Sequence, residues 1–216
     1  MEFTSQEKIY NPEEQKVKVI VIGAGSTGSF LSLTLAKMGL SNIKVIDYDK
    51  IENKNIPNQF FRINDVGKYK VEALKEIIEE FTGIEIDIEN VKIDKDCSFD
   101  FDMNTIFIFC LDNMEGRKLI YDKIKDFPIK LIDTRFGSEG FSIHTINLGK
   151  EEDKIDYERS LGLSIKETPC GEKGVIYSIL SLASEVCNIV KKIDKEEGYV
   201  KLLKREMKTY RFISKE

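Results

Sequence analysis

Between Val19 and Ala73 the chain carries, in order, VIGAGSTG, VIDYD, ENKNIPNQ and DVGKYKVEA. Gly23, Gly25 and Gly28 form a G-x-G-x-x-G run directly after an apolar segment, a pattern that can set a phosphate on a helix N-terminus. Gly23 permits the tight turn, Gly25 lets the backbone approach the phosphate, and Gly28 allows close packing of the helix. Asp47 closes the second apolar run, where a carboxylate can accept both ribose hydroxyls, and Asp49 completes an acidic pair. Glycines and one acid fit NAD, FAD, SAM or ATP equally. The Asn-x-x-x-Gln loop (Asn55, Asn58, Gln59) and Lys70 narrow the choice, because Lys70 brings a point positive charge at a set distance from the glycines. Together these residues specify a nucleotide triphosphate site better than a nicotinamide site.

The elements that must hold these groups are legible as alternating strands and helices. Residues 16–22 alternate and then run apolar, which predicts a buried first strand. Residues 26–38 read as a helix ended by Gly39, and 43–46 as the second strand. Residues 53–64 hold Pro57 and Asn-rich turns, which predict a loop or short irregular helix. A helix over 67–81 and a strand within 84–93 follow. Residues 105–110 form a strongly apolar fourth strand, with a helix over 115–124 after it. Strands at 129–132 and 141–146 come next, then a charged, low-order loop over 150–169. Residues 175–193 are apolar on most of a helical circumference, which predicts a long buried helix. The tail after Asp194 fits helix or strand. Such alternation predicts an α/β fold with a mostly parallel, doubly wound sheet covered by helices on both faces. It reads as a single domain over 1–216, with a core over 16–193 and a C-terminal extension over 194–216.

Bulk properties exclude several classes. At 216 residues the chain can bury one sizeable core. A formal net charge of -5, without a Lys/Arg cluster, argues against nucleic-acid binding. The polar start MEFTSQEKIYNPEEQ is unlike a signal peptide, and no segment approaches the ~20 apolar residues of a membrane span. Cys97, Cys110, Cys170 and Cys187 are scattered without a C-x-x-C pair, which fits a reducing cytoplasm and excludes a zinc ribbon. The single histidine, His144, lies in a predicted strand, which argues against a Ser-His-Asp triad.

GAGSTG, DYD, NKNIPNQ and GKYK resemble the MoeB/ThiF/HesA group of the ubiquitin-activating superfamily, whose pattern is G-x-G-x-x-G, D-x-D, S-N-L-x-R-Q and G-x-x-K. CLDNMEGR (110–117) resembles the group's D-N-x-x-x-R segment, and TPCGEKGV (168–175) its Cys-x-x-x-Gly-Val segment ahead of a long helix. The resemblance spans 16–193. It implies a Rossmann-like fold and ATP- and magnesium-dependent adenylation of the C-terminal glycine of a small ubiquitin-like or sulfur-carrier protein. By position it implies that Gly23, Gly25 and Gly28 cradle the nucleotide, that the Asp47/Asp49 pair borders it and that Asp47 holds its ribose. Asn55, Asn58, Gln59 and Lys70 would face the phosphates, and Asp112 would orient Mg2+. Relatives are usually homodimers. The paired cysteines that bind zinc in many relatives are missing, so no zinc is expected.

Asp112 follows the fourth strand directly, at a carboxyl end where open sheets bind ligands; its alternative use is as an N-cap. Asn58 stands where the family pattern has arginine, and residues 1–16 supply none. Arg62, four residues on, where a helical turn would put it on one face with Asn58, and Arg135, past the fifth strand in DTRFG, are the candidate substitutes. Cys170 precedes the long helix near Lys166 and Lys173, where a helix N-terminus and a cation both favour the thiolate that could attack an acyl adenylate. Cys110 and Cys187 read as packing residues. Two other functions share the glycine loop: an NAD(P)-dependent oxidoreductase, which leaves the 55–59 loop, Lys70 and Asp112 unexplained, and a nucleotide-binding partner subunit without catalysis.

Overall fold

The structure is a computed structural model and describes residues 1–137, 140–162 and 174–215. Runs that are apolar apart from Lys18, Lys44 and Thr105 form the central strands β1 (Lys18–Ile22), β2 (Ile43–Ile46) and β4 (Thr105–Phe109). A strand covered on both faces needs such a run, and every residue of β4 is buried. With β3 (Asp87–Glu89), β5 (Lys130–Gly137), β6 (Gly140–Asn147), β7 (Leu202–Glu206) and β8 (Arg211–Lys215) they make one eight-stranded sheet, ordered β3-β2-β1-β4-β5-β6-β7-β8. Pairing is parallel from β3 to β5 and antiparallel from β5 to β8.

The helices are α1 (Ser26–Lys37), α2 (Lys70–Thr82), α3 (Met114–Ile124), α4 (Glu151–Gly162) and α5 (Ile176–Asp194). Alternate residues of β1 serve opposite layers, as strand geometry requires. Val19 and Val21 join Leu31 and Leu35 of α1, Leu74 of α2 and Val186 of α5. Ile20 and Ile22 join Ile120 and Tyr121 of α3 and Tyr157 of α4. The sheet is therefore doubly wound and Rossmann-like, as expected. Because β2 and β4 flank β1, the crossover direction reverses between β1 and β4, and the crevice of an open α/β sheet opens there.

The element bounds differ from expectation in places that have physical causes. Residues 150–169 were expected to be a loop, yet 151–162 form α4. Its signal was faint because only Asp153 and Tyr157 of the helix are buried; Glu151, Glu152 and Asp153 in its first turn suit the positive end of the helix dipole. α2 begins at Lys70 rather than Gly67, which has φ +95° and closes the preceding turn. β5 continues past Ile132 to Gly137, through Asp133 and Arg135, because those two charges pair with each other. α5 is amphipathic rather than buried all round: Tyr177, Leu180, Ser184 and Asn188 are exposed. The tail resolves as the β7–β8 hairpin.

Candidate functional site

A cavity of about 840 Å³ opens beyond the carboxyl ends of β1, β2 and β4, at the switch point. Gly23, Gly25, Asp47, Asp49, Gln59, Lys70, Asp112 and Arg135 all border it. The sequence scatters these residues across more than half the chain; the topology brings them to one place.

The glycines divide the work. Gly23 has φ +100°, and a Cβ there would lie 2.7 Å from the carbonyl oxygen of Cys110. This is where the β1–α1 turn crosses the end of β4. A Cβ on Gly28 would lie 1.8 Å from the Gly23 carbonyl oxygen. Gly28 is thus a packing position behind the cavity and does not border it. Around Gly25 the nearest neighbour is Gln59 Nε2 at 4.0 Å. Gly25 caps α1 without a side-chain hydrogen bond, and Ser26 and Thr27 of the first turn border the cavity. An uncapped N-terminus with room in front of it suits an anion.

Asp47 braces the loop. It accepts a hydrogen bond from Ala24 N at 2.6 Å through one oxygen and from Asp49 N at 2.7 Å through the other. Burial pushes its carboxyl above the usual carboxylate range, opposed by Lys70 and by those two amides. Each oxygen keeps acceptor capacity for a further donor. Lys70, 6% exposed, places Nζ 2.7 Å from Asp49 Oδ2. Its backbone N donates to the Asp49 carbonyl at 2.9 Å, so strand end and helix start are tied twice.

The Asn/Gln loop contributes unequally. Asn55 Oδ1 accepts from Glu52 N at 2.8 Å, closing a capping box in the 3-10 turn Asn53–Asn55. Its side chain is spent on folding the loop and it does not border the cavity, nor does Asn58. The loop is pinned to α1 by Phe60 N donating to Ser29 Oγ at 3.0 Å. Asn58 Oδ1 and Gln59 Oε1 are buried acceptors without a partner among the described residues. Gln59 is in the cavity wall.

Arg62 is a correction. It was expected on one helical face with Asn58, but residues 58–61 are not helical and Arg62 faces α2 instead. Its guanidinium meets Asp65 at 2.8 Å, Glu76 at 3.3 Å and Glu80 at 2.7 Å, and it does not border the cavity. Arg135 does border it, but its Nε donates to Asp133 Oδ2 at 2.8 Å and its other nitrogens donate to Ser160 O and Oγ. The charge is present at the cavity wall, with three of its five N–H groups already engaged.

Asp112 lies in the β4–α3 turn, and Asn113 Nδ2 donates to its Oδ1 at 3.2 Å. The N-cap of α3 is Asn113, which accepts from Gly116 N at 2.7 Å, so Asp112 is not used as a cap. Arg117, one turn into α3 and the arginine of the D-N-x-x-x-R segment, is 4% exposed; the sequence reading gave it no role of its own. It donates to Asp133, to the Leu111 carbonyl and, at 2.9 Å, to the Thr134 carbonyl. Burial brings its guanidinium down to about 10. Tyr157 OH donates to Asp133 Oδ2 at 3.1 Å. Asp133 and Arg135, two apart in an apolar strand, were the available signal for this cluster. Tyr157, in the segment read as a loop, offered none.

Cys170, Lys166 and Lys173 lie outside the described residues. Burial pushes the Cys110 and Cys187 thiols up to about 12, which keeps both protonated at neutral pH and fits packing roles. Among the described residues no group of three or more His, Cys, Asp and Glu is arranged to hold a metal ion, and no helix is long and apolar enough to cross a membrane.

Residues 5–188 match the model of the ThiF family. Over 107 residues the chain is 46% identical to the NEDD8-activating enzyme E1 catalytic subunit of Arabidopsis thaliana, an alignment taking in 48% of this chain and 23% of that protein. Over 111 residues it is 31% identical to adenylyltransferase and sulfurtransferase MOCS3 of Aedes aegypti, covering 50% of this chain and 25% of that one. The chain spans about a quarter of the length of these curated relatives. Among solved structures, E. coli MccB with succinimide superposes with TM-score 0.77 at 20% identity, over 94% of this chain and 65% of that one. PaaA superposes with TM-score 0.74 at 20% identity, over 95% and 65%. The fold is the one those structures share, and with 5–188 of its residues matched the chain belongs to the ThiF family.

Proposed function

We propose that the chain binds ATP in this cavity and transfers the adenylyl group to a carboxylate, the C-terminal glycine of a small ubiquitin-like or sulfur-carrier protein. The observation that carries the reading is the convergence of the α1 glycine loop, Gln59, Lys70 and Asp112 on one cavity. The relatives' names support the class: one is an adenylyltransferase and sulfurtransferase, another a NEDD8-activating subunit, and MccB has been solved with AMPCPP and MccA.

The reaction suits the residues. A carboxylate oxygen of the acceptor attacks the α-phosphorus, the bond to the β-phosphate oxygen breaks, and pyrophosphate leaves with that electron pair. The acceptor is already ionised at neutral pH, so no general base is needed. What the step needs is alignment and preorganised positive charge. The first amides of α1 hold a phosphate, Lys70 supplies the ammonium, and Asp47 keeps lone pairs for ribose hydroxyls. The unpartnered Gln59 Oε1 is an acceptor that a bound ligand would satisfy.

One carboxylate from the protein suffices for a magnesium ion that arrives on nucleotide phosphates, since such an ion takes one or two protein oxygens and keeps its waters. Asp112 would hold it, and when bound it offsets charge on the leaving pyrophosphate. A thiolate at Cys170 would then attack the acyl adenylate, expelling AMP and leaving a thioester. We further propose a homodimer acting in the cytoplasm.

Thermal shift tests the nucleotide. At a hundredfold excess over Kd a ligand adds about 2.7 kcal/mol, so ATP with magnesium should raise the midpoint by several degrees while NAD leaves it in place. Stabilisation by NAD alone would reverse the assignment. Pyrophosphate exchange into ATP, dependent on an added ubiquitin-like protein with a free C-terminal glycine, tests catalysis. Binding without exchange would make the chain a partner subunit, and sedimentation tests the dimer.

A further inference from the structure

In the cavity wall two guanidiniums, Arg117 and Arg135, share one carboxylate. Asp133 is fully buried, Arg117 is 4% exposed and Arg135 7%. Burying ions is expensive, and apolar side chains of similar volume often stabilise as well or better. Stability therefore gives little reason for the cluster, and its geometry gives a better one.

The Arg117 fork divides. One nitrogen goes to Asp133, and the other to the carbonyls of Leu111 and Thr134. Leu111 is the residue before Asp112. The ladder of β4 ends with Cys110 N donating to the Ile22 carbonyl at 2.8 Å, and α3 does not begin until Met114. Across that gap Arg117 reaches back from one turn into α3 and grips the turn at Leu111. The grip is itself braced. Asp133 also accepts from Arg135 Nε at 2.8 Å and Tyr157 OH at 3.1 Å, and Arg135 donates onward to Ser160 of α4.

We propose that Arg117 is a positioning residue: its grip on the Leu111 carbonyl, set by Asp133, holds Asp112 where it can take the magnesium that accompanies the nucleotide. The inference rests on the nucleotide-site reading above. A lysine keeps the charge but has no fork, so Arg117→Lys cannot hold Asp133 and the Leu111 carbonyl together.

The test is the affinity of the full chain for mant-ATP with magnesium and with EDTA, read as the ratio of the two Kd values. Loss of a residue supporting a metal ligand typically costs about 10- to 100-fold in metal affinity, so Arg117→Lys should cut the wild-type ratio about tenfold. A purely structural role would weaken both affinities alike and leave the ratio intact, which overturns the proposal. Should Arg117→Lys fail to melt cooperatively, Tyr157→Phe takes its place. It keeps every charge while loosening Asp133, and a smaller fall in the ratio is expected; an unchanged ratio overturns the proposal. A wild-type protein that binds no mant-ATP, or gains nothing from magnesium, overturns the site reading and this inference with it. A wild-type gain retained in the variants overturns the inference alone.

Discussion

Lys70 Nζ lies 2.7 Å from Asp49 Oδ2, an ion pair in which the lysine side chain is 8% exposed and the aspartate 48%. Asp49 can turn to water, whereas Lys70 faces the cavity with its neighbour as counter-ion. An incoming phosphate would replace Asp49 as partner, and the aspartate would lose little by release.

The consequence for Lys70→Ala follows from that asymmetry. A charge-assisted hydrogen bond contributes about 1.5–3 kcal/mol, so affinity for ATP with magnesium should fall by about 10- to 100-fold, as read by titration calorimetry. Stability should fall by about 1 kcal/mol or less, because half-exposed pairs contribute little. A Kd equal to wild type would remove Lys70 from the site.

Two glycines three residues apart should respond in opposite ways. Gly28→Ala drives a methyl to within 1.8 Å of the Gly23 carbonyl oxygen, a backbone atom with nowhere to go. Overpacking of this kind destabilises by about 1–3 kcal/mol or more, visible as a lower midpoint in urea. Gly25→Ala meets nothing nearer than 4.0 Å. It should melt like the wild type, yet bind ATP more weakly because its methyl stands before the first amides of α1. If Gly25→Ala binds normally, the phosphate does not approach that backbone.

How much of this was legible depended on the kind of signal each residue gave. β1, β2 and β4 announced themselves because a strand buried on both faces must be largely apolar, and only Lys44 interrupts the run of β2. The glycine roles followed from their order after β1. α4 was missed because its only buried residues are Asp153 and Tyr157, so it carries almost no apolar stripe. At the site, Asp47, Gln59, Lys70 and Asp112 converge as their order implied, while Asn55 turned out to cap its own loop. Arg117 was written in the sequence only as a spacing; its work is with two carbonyls from other strands and turns, which no local pattern encodes. Arg62 misled because a helical period was assumed across a segment that is not helical.

Arg62→Ala therefore carries a sharp expectation. The side chain is 43% exposed, its carboxylate partners are Glu76 and Glu80 of α2 and Asp65 of the preceding turn, and none of them borders the cavity. Asp65 is buried and keeps Lys68 at 3.3 Å as a second partner. A loss of about 1 kcal/mol is expected, with ATP affinity and any pyrophosphate exchange within twofold of wild type. A selective loss of exchange with binding intact would restore Arg62 to the reaction.

His144 is paired across the sheet with Asp133, and its ring lies 6.4 Å from that of Tyr157. Burial first, and then Arg135, Lys204 and Arg117, bring its imidazole down to about 3 from the ordinary 6.5. Between those two values the unfolded chain binds a proton that the native protein refuses. Stability contributed by this group is thus complete above 6.5 and drains away as pH falls towards 3. One proton is worth at most about 1.4 kcal/mol per pH unit in that window, and less here because the ring keeps some access to water. His144→Gln retains a hydrogen-bonding partner for Ser142 Oγ, 3.4 Å away in the wild type, and removes the titration. Urea midpoints at pH 7.5 and pH 5 should therefore converge in the variant relative to wild type, since the carboxylates contribute alike to both. Parallel losses in the two proteins would mean that the native imidazole takes up its proton as readily as the unfolded one, and that the guanidiniums beside it do not act on it.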